Sequence, residues 1–233
     1  MKFLIIKHID IEGPGTLGDF LYQQGIHWDT LELGSGERLP QSPEGYDAVV
    51  ALGGPMNVYE EDQYQFLSEE DHFIRECLHL GMPYLGFCLG SQLLAKAAGA
   101  KVVRSPVKEV GWYQVNLTDK GKSDHLFKES LSSMPVFHWH SDMFNVPQNG
   151  ALLATGSGCP HQAFKVGSNA YGLQFHIEIT NKNIEEWHNE YAASDSAGIN
   201  LREMLDGYVL HKGLFHSQAE KIYQNFLSIV KGD

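Results

Sequence analysis

Three short, nearly unbroken apolar runs constrain the fold of this chain most: KFLIIKHI (residues 2–9), YDAVVALGG (46–54) and PYLGF (83–87). Strands of this kind have no polar face to offer water, which is the condition of a parallel sheet covered on both sides. Helical patterns alternate with them. Leu17, Phe20 and Leu21 mark one helix that Gly25 stops; Phe66, Leu67, Phe73, Ile74, Cys77 and Leu78 mark a second within 62–80, ended by Gly81 and Pro83; LGSQLLAKAAG (89–99) is a third. With IHWDTLEL (26–33) as a further strand, the order predicts an α/β fold with an open, mostly parallel sheet and helices on both faces.

Beyond Ala100 the pattern changes to shorter strands, KVVR, GWYQVNL, VFHWHSD, QAFKVG and AYGLQFHIEI. From about residue 181 it is helical, with Trp187, Tyr191, Leu201, Met204, Ile222, Phe226, Leu227 and Val230 on apolar faces. No repeat or linker divides the chain, so residues 1–233 are expected to form a single domain with a helical C-terminal extension from about 181.

A formal charge of −12 would repel phosphate backbones and anionic lipid surfaces, which argues against nucleic acid and membrane as partners. No stretch approaches membrane-spanning length, and Lys7, Asp10 and Glu12 break the first apolar run before a signal-peptide core is complete. Cys77, Cys88 and Cys159 include no close pair and read as thiols of a reducing compartment; the expected location is cytoplasmic, where the glycosylation pattern at Asn116 stays unused. Cys77 lies on the apolar face of its helix and reads as core.

Cys88 is different. A cysteine taken alone is most often a small buried hydrophobe. Here Gly86 and Gly90 flank it at a strand-to-helix junction, where a sharp reversal forces the apex residue into an unfavourable conformation and small neighbours let the elements approach. The sulfur would then stand at the carboxyl end of the sheet and the amino end of a helix, a setting that favours thiolate. Such a nucleophile needs a base and a group to orient it. YGLQFHIEI places His176 and Glu178 two residues apart, where a carboxylate can steady an imidazole that faces the thiol.

Together these motifs resemble the class I glutamine amidotransferases, whose triad is the cysteine of Gly-x-Cys-x-Gly with the histidine and glutamate of a late His-x-Glu; the matching residues are Cys88, His176 and Glu178. LGGPMNVYE (52–60), EVGWYQV (109–115) and HWHSDMF (138–144) match in the expected order, and the similarity runs from about Lys2 to Thr180. The resemblance implies a flavodoxin-like fold, an oxyanion hole from the N–H groups of Gly54 and Leu89, and substrate contacts from Gln92, Trp139, His140 and Ser141. It further implies hydrolysis of the side-chain amide of glutamine, or of a γ-glutamyl small molecule, through a γ-glutamyl thioester, with no metal or cofactor. Family members often carry proline between the histidine and glutamate, where this chain has Ile177. The overall similarity is to the GMP-synthetase type of glutaminase domain. No Gly-x-x-x-x-Gly-Lys-Ser/Thr loop is present, so either a separate synthetase subunit uses the ammonia or the chain is a free-standing γ-glutamyl hydrolase.

Two further readings follow from other residues. GPGTLG (13–18), with Glu32 downstream, satisfies the Gly-x-Gly-x-x-Gly pattern of a dinucleotide-binding oxidoreductase, although Asp10, Glu12 and Pro14 sit badly against a pyrophosphate. His138, His140, Cys159 and His161 could compose a zinc set, but lack paired ligand spacing; His138 reads as structural and Cys159 as turn or core. A non-catalytic binding module would follow from a broken triad geometry.

Overall fold

A computed structural model describes residues 1–192 and 200–232; part of the predicted helical extension, 193–199, lies outside the described residues. The elements in chain order are β1 (Lys2–Lys7), α1 (Gly15–Gln23), β2 (His27–Glu32), β3 (Ala48–Ala51), α2 (Phe66–Leu80), β4 (Tyr84–Phe87) and α3 (Leu89–Ala97). They are followed by β5 (Val102–Leu117), α4 (Asp119–Ser123), β6 (Ser133–Phe144), β7 (Gly150–Gly156), β8 (Ala163–Val166), β9 (Ala170–Leu173), α5 (Asn181–Tyr191) and α6 (Leu201–Lys231).

The strands form one nine-stranded sheet in the order β2-β1-β3-β4-β9-β8-β7-β5-β6. From β2 to β9 every pairing is parallel. β3 and β4 are buried at every residue, as strands covered on both faces must be. One apolar layer gathers Phe3, Ile5, Val50, Leu85 and Phe87 with α1 and with Phe215, Ile222 and Phe226 of α6. The opposite layer gathers Leu4, Ile6, Val49 and Ala51 with Leu67, Ile74 and Cys77 of α2 and Leu93 and Leu94 of α3. The α/β sheet with helices on both faces is therefore the fold.

Local boundaries differ from the sequence reading. KVVR and GWYQVNL belong to one strand, β5, whose pairing with β6 is irregular between Arg104 and Glu109. β7 was not legible in GALLATG, a run of small residues with little alternation. The last predicted strand ends at Leu173; His176 lies beyond it, held by an isolated bridge to Phe137. Among the described residues no helix is long and apolar enough to cross a membrane.

Candidate active site

β4 stops at Phe87 and α3 starts at Leu89, so the reversal falls on Cys88, with φ 46° and ψ −106°. A non-glycine residue held there costs on the order of 1–3 kcal/mol, and the surrounding structure must impose it. The flanking glycines are required by space. A Cβ on Gly86 would come within 2.5 Å of the Gly90 carbonyl, and one on Gly90 within 2.2 Å of Ala51 O. The Cys88 N–H donates to Leu173 O at 2.8 Å, which ties the elbow to β9.

Cys88 is 7% exposed and lines a cavity of about 270 Å³. His176 lines the same cavity, near enough for the sulfur to raise the affinity of its ring for a proton. Gln174 Nε2 donates toward the sulfur at 3.7 Å. His176 Nδ1 lies 2.6 Å from Glu178 Oε1, and the second oxygen of Glu178 accepts from the Ile177 N–H at 2.9 Å. A proline at 177 would have no such donor, so Ile177 adds a bond to the Glu178 carboxylate. The Trp187 indole meets the His176 ring edge-on, with centroids 4.7 Å apart. Burial by itself would lower the His176 pKa; the Glu178 charge, with hydrogen bonds to Cys88 and Glu178, outweighs it and holds the imidazole well above its ordinary range.

Gly54 and Leu89 both line the cavity beside Cys88. Leu89 is the first residue of α3, so its N–H has no acceptor within the helix. Gln92 lines the cavity as well, while its Nε2 donates to Asp142 O and to Gln174 Oε1, both at 3.1 Å. Ser141 is half-buried on the wall, and the Trp139 ring packs edge-on to Tyr191. His140 also borders the cavity, but its ring nitrogens face Asp142 O at 3.0 Å, Glu109 Oε2 at 3.0 Å and His138 Nδ1 at 3.1 Å.

That network accounts for the suspected zinc set. Glu109, His140 and Cys159 bring ligand-type atoms within 4.8 Å of one another, but Glu109 also accepts from the Cys159 N–H and Gln162 Nε2. His161 turns its Nδ1 to Phe144 O instead. The dinucleotide motif is used differently too. The α1 entrance closes on the Glu178 backbone, with Thr16 N–H donating to Glu178 O at 2.7 Å and a Cβ on Gly15 only 2.0 Å from that oxygen.

Sequence reasoning missed Gln174, Glu12 and Tyr191. Gln174 stands two residues before His176, and strand alternation was the available signal. Glu12 is buried on the cavity wall, its Oε1 accepting from Tyr191 Oη at 2.8 Å; burial raises its pKa. No local pattern announces a contact between residues 12 and 191.

The model of the family "Glutamine amidotransferase class-I" matches residues 26–188. The chain is 32% identical over 203 residues to the glutamine amidotransferase-like protein YfeJ of Salmonella typhimurium, covering 85% of each. It is 32% identical over 158 residues to one of the subunits of the glutamine-hydrolysing GMP synthase of Sulfurisphaera tokodaii, covering 64% of this chain and 80% of that one. Its match to the glutamine-hydrolysing GMP synthase of Streptococcus mutans covers 24% of that protein. A Thermotoga maritima glutamine amidotransferase superposes with a TM-score of 0.89 at 33% identity, covering 97% of both chains. With the sheet, the elbow and these matches agreeing, the chain belongs to the class I glutamine amidotransferase family.

Proposed function

We propose that the protein is a cysteine-dependent hydrolase of the side-chain amide of glutamine, with Cys88 as nucleophile, His176 as acid and base, and Glu178 as the group that orients and charges the imidazole. The observation that carries this reading is the strained Cys88 elbow opening on the same cavity as His176, whose Nδ1 is bonded to Glu178. Thiolate attacks the amide carbon, and the N–H groups of Gly54 and Leu89 take the developing oxyanion. The C–N bond breaks as His176 gives its proton to the departing nitrogen, which leaves as ammonia while the γ-glutamyl group stays on Cys88 as a thioester. Water, deprotonated by His176, then releases glutamate and restores the thiol. No step needs a metal or cofactor.

Gln92, Trp139, His140 and Ser141 frame the substrate from the cavity wall, His140 through its hold on Asp142 O. The whole chain acts as one amidotransferase domain, α5 and α6 forming its helical extension, and the ammonia passes to a separate acceptor enzyme. The same steps would cleave a γ-glutamyl peptide. Arg104 and Lys108 on the cavity wall favour that second reading, since they could hold the carboxylate of a longer leaving group. Release of ammonia from glutamine, and of amine from a γ-glutamyl dipeptide, by wild type and Cys88→Ala tests the reading. Loss of both activities in the alanine variant is expected; retention of either would remove Cys88 from the chemistry.

A further inference from the structure

His8 and Glu70 lie outside the proposed triad, yet both are fully buried and bonded to each other, His8 Nε2 to Glu70 Oε2 at 2.8 Å. The other ring nitrogen, Nδ1, donates to Gly53 O at 2.9 Å. A carbonyl oxygen only accepts, so the proton on Nδ1 is obligatory. The carboxyl group of Glu70 fixes it there, because the Nε2 and carboxylate pair shares its own proton whichever partner carries it. Glu70 arrives from α2 and His8 from the end of β1, so two rigid elements converge on one peptide bond.

We infer that the His8 and Glu70 pair is a positioning device that locks the Gly53–Gly54 peptide with its carbonyl turned away from Cys88 and the Gly54 N–H turned into the cavity. This rests on the oxyanion role proposed above for Gly54. In a trans peptide the C=O and N–H point in opposite directions, and the described residues contain no cis bond. Holding Gly53 O on His8 therefore aims the next N–H to the other side, where Gly54 borders the cavity with Cys88 and Leu89. The lock is needed because glycines at both positions would otherwise let this peptide rotate. Those glycines are themselves forced: a Cβ on Gly53 would meet Glu12 Oε2 at 2.2 Å, and one on Gly54 would meet the His8 Cβ at 2.8 Å. Stability alone does not explain the pair. A buried ion pair is often replaceable by hydrocarbon without loss, and here Glu70 Oε1 has no hydrogen-bond partner among the described residues.

The test compares two double variants of the full chain. His8→Leu with Glu70→Met removes the donor and both charges, leaving no unpaired ion. His8→Asn with Glu70→Gln keeps an N–H where Nδ1 stood. The expected result for the first is a fall in kcat for glutamine of about 10²-fold or more with KM nearly unchanged, as for loss of one oxyanion donor. Alkylation of Cys88 by iodoacetamide, which develops no oxyanion, should stay at the wild-type rate; the second variant should recover most of the turnover. A folded Leu/Met variant with kcat within threefold of wild type overturns the inference, as does equal loss in both variants. Crystal structures of the wild type and both variants read the peptide directly: Gly53 O on His8 Nδ1 in the wild type supports the lock, and that carbonyl facing Cys88 ends it, even if Leu/Met does not fold. Failure of the functional reading looks different, as a wild type that releases no ammonia while its peptide orientation still decides the lock.

Discussion

His176 Nδ1 and Glu178 Oε1 meet at 2.6 Å with both side chains buried, so the carboxylate acts on the imidazole with little solvent screening. The relation has a pH consequence. The His176 pKa is raised, so the imidazolium that would give its proton to the leaving nitrogen persists above the ordinary range and is lost only as pH rises through that higher value. Glu178→Gln removes the charge that raises it. The alkaline limb of kcat/KM for ammonia release should move to lower pH, and the rate at its optimum should fall by roughly 10²-fold or more. An unchanged limb would show that the charge of Glu178 does not govern the base.

The three thiols should differ sharply in reactivity. Cys77 is fully buried in the core, which pushes its thiol up to about 12, and Cys159 is buried with its pKa raised for the same reason. Cys88 alone of the three lines the cavity. Limited iodoacetamide treatment followed by peptide mapping should find one adduct, at Cys88. Comparable labelling of Cys159 would contradict the burial on which this rests.

Gly90→Ala tests the elbow through packing. The new methyl would press on Ala51 O, a backbone atom of β3 that cannot swing aside. Overpacking of this type costs about 1–3 kcal/mol, and α3 would have to tilt away from the sheet and carry Cys88 with it. Urea unfolding should show the lost stability and the ammonia assay a larger proportional loss of rate. Full activity in a destabilised variant would uncouple the two.

Glu12 gives a prediction of opposite sign in stability. Its folded pKa is raised, chiefly by burial, so between the ordinary carboxylate value and the raised one the native state holds a proton that the unfolded chain has released. Stability therefore falls as pH rises through that window. Glu12→Gln has no proton to lose and should keep its hydrogen-bond partner Tyr191. Its stability relative to wild type should grow in urea titrations as pH rises from the ordinary carboxylate value through the raised one. A constant difference across that range would mean that Glu12 is not strained by burial.

Features that depend on neighbours in the chain were legible before folding. Apolar runs specify buried parallel strands because a strand without a polar face must be covered twice. The Cys88 elbow was legible because Gly86 and Gly90 stand within two residues of it, and His176 with Glu178 because they are two apart. Tertiary structure decided the contacts between distant segments. His8 reaches Glu70 across 62 positions and Glu12 reaches Tyr191 across 179, and no periodicity encodes either. It also decided that His140 spends its ring on Glu109, and that β5 is one strand with an irregular stretch. The physical reason is that local sequence sets backbone preference and burial, whereas the direction of a buried polar side chain is set by whichever donor or acceptor the folded chain brings within about 3 Å of it.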